Sequence, residues 1–168
     1  SWNVSRPSFA NLQEAIKQLR EGTQTDFVCL QEVAPCRARW PASGAKFPEG
    51  ARLVGNPTKP SDTAILLSSR WVRVRWKANT EYCIGVVAED RMGALACVVS
   101  VHLPTRAKSV EQFRVAIAEV ASLLEMAKRR FAGRLATVLV AGDFNVELYT
   151  HMGNVGERGT VGMHPDVR

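Results

Sequence analysis

Apolar residues recur at helical spacing in two stretches of the chain. Phe9, Leu12, Ile16 and Leu19 form one face, which predicts a helix over about residues 9–21, with Ser8 as its cap and Gly22 as its left-handed stop. Phe113, Ile117, Val120, Leu124, Ala127 and Phe131 form a second face. Ser109-Val-Glu-Gln112 has the form of a capping box in front of it, and Lys128-Arg-Arg130 with Gly133 closes it. Runs rich in β-branched residues at 27–30, 63–67, 71–77, 82–88, 95–101 and 135–141, separated by turn-forming residues, predict strands. Between Val33 and Asp62 stand Pro35, Pro41, Pro48, Pro57 and Pro60, a pattern that predicts a long surface loop. Residues 151–168 are rich in glycine and polar groups and show no periodicity.

The order strand, helix, strand occurs twice, once from 2–4 to 27–30 and once from 95–101 to 135–141. A helical crossover of this kind joins parallel strands, so each pair ends at the same edge of a sheet, where α/β proteins bind their ligands. Asn3 and Glu32 lie at or just beyond the ends of the first pair. His102 and Asp143 lie just beyond those of the second, with Asn145 two residues on. Glu32 and Asp143 offer hard oxygen ligands of the kind that suits Mg2+ or Mn2+, which take one or two carboxylates and keep several waters. One histidine with no second ligand histidine nearby fits zinc poorly. Each residue also has a plain structural reading: Asp143 and Asn145 as turn formers, Glu32 and Asn3 as solvated strand ends, His102 as a satisfied structural histidine. Their joint placement favours a site.

Composition narrows the class. A chain of 168 residues with 46% apolar and 23% charged residues suits one folded domain with one sizeable core. No run of 18 or more apolar residues occurs, and Ser1-Trp-Asn-Val has no signal-peptide character, so no membrane partner is expected. Cys29, Cys83 and Cys97 sit in apolar runs and, with Cys36, show no Cys-x-x-Cys spacing. Reduced cysteines in an intracellular protein, nuclear or cytoplasmic, are expected. The net charge of +6 suits a polyanionic partner without requiring one.

Ser1-Trp-Asn3, Leu30-Gln-Glu32, Thr63-Ala-Ile-Leu-Leu-Ser68, Ser100-Val-His-Leu-Pro104 and Gly142-Asp-Phe-Asn145 resemble, in order and spacing, the successive motifs of the endonuclease/exonuclease/phosphatase superfamily, which includes abasic-site, DNase I-like and retrotransposon endonucleases. The resemblance implies a four-layer α/β sandwich, DNase I-like, and Mg2+-dependent (or Mn2+-dependent) hydrolysis of a phosphate ester. It implies Glu32 as main metal ligand with Asn3 beside it, supporting metal or phosphate. Asp143 would join the metal site and orient or deprotonate the attacking water, Asn145 would hold the water or a phosphate oxygen, and His102 would contact the phosphate. The superfamily's late Ser-Asp-His motif does not occur in residues 1–168, and His164-Pro-Asp166 has the wrong order. Residues 1–168 are therefore expected to form a single but partial domain, incomplete at its C-terminus, with poor hydrolysis by itself.

Alternation along 71–77 places Trp71, Arg73, Arg75 and Lys77 on one face and Val72, Val74 and Trp76 on the other. That basic face suits a nucleic-acid backbone or a solvated outer surface. Arg37, Arg39 and Lys46 in the long loop are better placed to bind substrate. Nucleic acid is the expected partner and an endonuclease-like phosphodiesterase, such as that of a mobile element, the expected function. The alternatives are an inositol-phosphate or lipid phosphatase or phospholipase of the same superfamily, and a catalytically dead binding module.

Overall fold

The two helical patterns fold as α1 (Phe9–Gly22) and α2 (Val110–Arg130), and the apolar runs form strands on either side of them. In chain order these are β1 (Trp2–Asn3), β2 (Phe27–Gln31), β3 (Arg52–Gly55), β4 (Thr63–Leu67), β5 (Trp71–Asn79), β6 (Cys83–Asp90), β7 (Leu95–His102) and β8 (Leu135–Asp143). The structure, a computed structural model, describes residues 2–3, 9–22, 25–33, 50–55, 63–104 and 110–145. Ser8, Cys36, Arg37, Arg39, Lys46, Ser109 and residues 151–168, to which the sequence reading assigned caps, loop or substrate contacts, lie outside the described residues.

The strands form two sheets of four, ordered β1-β2-β4-β3 and β5-β6-β7-β8. Both crossovers join parallel neighbours: β1 pairs with β2, and β7 with β8. All other pairings are antiparallel.

Alternation of side chains then sorts the apolar residues into three cores. Val28 and Leu30 of β2, with Ala64 and Leu66 of β4, face Leu12 and Ile16 of α1. Cys29, Ile65 and Leu67 from the same strands face Ile84, Val86 and Ala88 of β6 and Ala96 and Val98 of β7. The opposite faces of β6 and β7, through Val87, Cys97, Val99 and Val101, pack under Ala116, Leu123 and Ala127 of α2. The layers are therefore helix, sheet, sheet, helix. Because β2, β4, β6 and β7 are covered on both faces, they are apolar nearly throughout.

Three expectations are corrected. The stretch between Val33 and Asp62 includes a strand, β3, paired antiparallel with β4; with only Leu53 and Val54 as buried strand residues, its period is too short to read. On α2 the buried positions are Ala116, Leu123 and Ala127, whereas Ile117 is largely exposed. The stripe is shifted rather than lost: Ala116 and Leu123 join Ala127 and Phe131 in the core, with the predicted Phe113, Val120 and Leu124 partly buried against it.

Third, β5 does not alternate simply. Register shifts fall between Trp71 and Arg73 and between Val74 and Trp76, and such bulges swap faces. Trp71 turns into the inter-sheet core against Phe27, ring centroids 4.7 Å apart. Trp76 turns the other way, under α2. Arg73, Arg75 and Lys77 stay exposed, on a strand that forms an edge of its sheet among the described residues.

Cys29, Cys83 and Cys97 are buried and free, and burial pushes each thiol up to about 11. All three are expected to resist iodoacetamide at neutral pH in the native protein and to react once it is unfolded. Mass spectrometry of the alkylated peptides measures this; equal labelling in both states would contradict the burial.

Candidate active site

Asn3 is the last residue of β1, His102 the last of β7 and Asp143 the last of β8, while Glu32 follows directly on β2. All four thus stand at carboxyl ends of strands. The two parallel pairs lie against each other, since β2 packs on β7 and β8, and β1 on β8. The register sets Asn3 beside Gln31 and His102 beside Asp143.

Alternation decides which way the side chains face. Val101 and Leu103 belong to the core under α2, so His102 between them faces the other sheet. Asp143 follows Ala141, which packs in the inter-sheet core, and shares its face. Both residues therefore border the mouth of the inter-sheet space, at the end of the sandwich where β2 leads into Glu32, and all three are half-buried.

A buried polar bridge beneath that mouth was not assigned any role from sequence. Gln31 Nε2 donates to Ser100 Oγ at 3.2 Å, and Ser100 Oγ donates to the Leu30 carbonyl at 3.3 Å. Gln31 and Ser100 are 1% and 0% exposed, so each has been desolvated at a cost that its partner offsets. The pair joins the sheets one residue before Glu32 and two before His102. The available signal was a glutamine and a serine at core-facing positions of apolar strands.

The turn after β8 is tied to the turn after β7. The Leu103 N–H donates to the Asp143 carbonyl at 2.9 Å, the Asn145 N–H to Asp143 Oδ1 at 3.0 Å, and Asn145 Nδ2 to the Leu103 carbonyl at 2.7 Å. The His102 N–H is held by the Tyr82 carbonyl at 2.9 Å. Asn145 thus spends one amide hydrogen fastening the turn that presents Asp143. Asn145→Ala is expected to cost about 1–2 kcal/mol, from the lost hydrogen bond and a left-handed backbone that alanine tolerates poorly. Urea unfolding reads this, and parent-like stability would show that the amide is dispensable to the turn.

Glu32 and Asn145, with φ of 59° and 47°, are the two described non-glycine residues with a positive φ. Asparagine tolerates this conformation, but glutamate is uncommon there. Strain of this kind persists where the surroundings over-determine it, and it concentrates at working sites.

Among the described residues no three His, Cys, Asp or Glu side chains gather as a cation cluster. The strand ends instead offer two carboxylates, Glu32 and Asp143. That donor set fits a hard cation that keeps most of its water.

The sequence profile of the Endonuclease/Exonuclease/phosphatase family matches residues 1–158. No curated protein matches the sequence. Among solved structures, the chain is similar to the human Nocturnin catalytic domain with bound sulfate anion, at TM-score 0.55 and 21% identity over 87% of this chain and 62% of that one. It is similar to TDP2 from C. elegans at TM-score 0.54 and 19% identity, over 87% of this chain and 47% of that one. It is also similar to ANGEL2, a 2′,3′-cyclic phosphatase in complex with adenosine-2′,3′-vanadate, at TM-score 0.51 and 17% identity, over 84% of this chain and 44% of that one. At these identities the likeness shows the fold, a mixed α/β structure of two sheets with few helices. The chain spans less than two thirds of each of these structures.

Proposed function

The chain belongs to the Endonuclease/Exonuclease/phosphatase family, and from that membership we propose that its strand-end site serves divalent-metal-dependent hydrolysis of nucleic-acid phosphodiesters. Members of the family are phosphoesterase hydrolases, and the superfamily is generally dependent on divalent metal. The observation that supports the reading is that Glu32, His102 and Asp143 stand at the ends of strands in two sheets packed together, at the same end of the sandwich, with Glu32 held in a left-handed conformation. The net charge of +6 is compatible with a polyanionic substrate.

In this proposal Glu32 and Asp143, with Asn3, hold Mg2+ or Mn2+. Such an ion supplies charge stabilisation at the phosphoryl oxygens. Asp143, fixed by the Asn145 N–H, orients the attacking water and takes its proton. His102 donates to a non-bridging oxygen, in a position set by its backbone bond to Tyr82. Asn145 keeps the Asp143 turn in place and offers the rest of its amide to the water or a phosphate oxygen. Arg37 and Arg39, outside the described residues, are assigned to the substrate strand.

The proposal also treats residues 1–168 as a partial domain. The apolar side chains Val138 and Leu139 of β8, an edge strand among the described residues, are 44% and 38% exposed, as expected of a strand that further structure covers. Turnover by residues 1–168 alone is accordingly expected to be weak, so binding is the primary readout. Calorimetric titration should show Mn2+ binding that depends on Glu32, and affinity for nucleic acid should fall steeply with salt. Mn2+ binding unchanged in Glu32→Ala would sink the site. Preference for an inositol phosphate or a lipid headgroup over DNA and RNA would replace the substrate class. Robust Mg2+-dependent cleavage by residues 1–168, abolished by Glu32→Ala, would remove the partial-domain reading.

A further inference from the structure

The opposite end of the sandwich carries a second charged surface. It is formed where β5 begins, where β6 turns into β7, and where α2 hands over to β8. Arg73 lies near the start of β5, Arg91 in the turn after β6, Arg130 at the end of α2 and Arg134 directly before β8. Leu135, next to Arg134, pairs with Leu95 of β7, and Arg73 pairs with Glu89 of β6. The four arginines therefore cross this end of the sheet from its first strand to its last, about 15 Å at ordinary strand spacing. Arg73 and Arg91 line one shallow cleft of about 350 Å³.

All four are exposed, and none of their guanidinium groups makes a hydrogen bond or an ion pair with another described residue. The acidic groups around them are paired with other partners. Asp90 accepts the Met92 and Ala94 N–H groups, each at 2.9 Å, and pairs with Arg70 at 3.5 Å. Glu89 pairs with Arg75 at 3.5 Å, and Asp26 with Arg70 at 3.0 Å. Glu125 is shared between Lys128 and Arg129, at 3.7 and 4.0 Å. The surplus charge at this end is positive.

We propose that this end is a contact surface for the phosphate backbone of duplex nucleic acid, distinct from the strand-end site and facing away from it. A single strand would want aromatic platforms for its bases, but Trp71 and Phe131 are 7% and 8% exposed and face inward. A lipid surface would want apolar residues to insert, and among the described residues Met92 is the one large apolar side chain at this end that is widely exposed. A span of about 15 Å covers roughly four base-pair steps of a duplex. The choice of nucleic acid as the polyanion rests on the substrate reading above; the surface does not.

The test is the salt dependence of duplex binding by the chain carrying Glu32→Ala, which separates this surface from metal-dependent binding at the site. Replacing Arg73, Arg91, Arg130 and Arg134 with glutamine should leave the melting temperature unchanged and weaken duplex binding at low salt by tenfold or more. The slope of log affinity against log salt should flatten by about 3.6, roughly 0.9 for each of the four lost phosphate contacts. The four Arg→Lys replacements should restore most of the slope. Unchanged affinity and slope in the glutamine variant would overturn the proposal, as would failure of the parent to bind duplex while it binds anionic phosphatidylserine vesicles. Loss of duplex binding that the lysine variant does not restore would equally overturn it. None of these outcomes bears on hydrolysis at Glu32, so the substrate reading stands or falls separately.

Discussion

Replacing Gly142 with alanine is expected to disrupt the candidate active site and lower the stability of the whole chain. An added Cβ would lie 2.0 Å from the Val101 carbonyl oxygen and 2.7 Å from both the Val101 carbonyl carbon and nitrogen. Those atoms are backbone of β7, paired in register with Gly142 itself, so no side-chain rotation relieves the contact. Relief requires β8 to move away from β7 where His102 faces Asp143. Overpacking of flexible cores costs about 1–3 kcal/mol. Here the obstacle is a buried strand, and a loss of about 3 kcal/mol or more is expected, a fall in melting temperature of roughly 6–12 °C. Mn2+ binding should be lost with it, because Asp143 follows directly. An alanine variant with parent-like melting temperature would mean that the two strands are not this close.

The second large effect separates stability from function at Glu32. Glu32→Ala and Glu32→Gly both remove the carboxylate and are expected to abolish Mn2+ binding. They differ in the backbone, since a left-handed conformation costs an alanine about 1 kcal/mol that glycine does not pay. Glu32→Gly should therefore melt about 2–4 °C above Glu32→Ala. Calorimetry gives both quantities. If the glycine variant melts no higher, the φ of 59° at Glu32 is not a strained state in solution. If either variant keeps the parent's Mn2+ affinity, Glu32 is not a metal ligand.

Much of this was legible along the chain. The 3.6-residue period marked both helices, and short β-branched runs marked all the longer strands, because burial on one or both faces imposes a pattern on every residue of such elements. Strand-helix-strand order then sufficed to put Asn3, Glu32, His102 and Asp143 at strand ends, since a helical crossover leaves few ways to connect. β3 escaped notice because a four-residue strand shows at most two buried side chains. The face of β5 was misassigned because a bulge breaks the period of two without leaving a trace in residue type.

Sequence by itself determined which residues are apolar, how they repeat and which polar groups follow each strand, because these depend on local spacing alone. Tertiary structure decided how the two sheets meet. Only there do Gln31 and Ser100, 69 positions apart, share a buried hydrogen bond and draw the ends of β2 and β7 together. Only there does Asn145 spend its amide on Leu103, so that a residue read as a ligand for water or phosphate also holds the turn for Asp143. The arginines of the far end are brought into line by strand register in the same way. Such contacts join groups distant in the chain, and pairing between distant groups leaves no period for a single sequence to display.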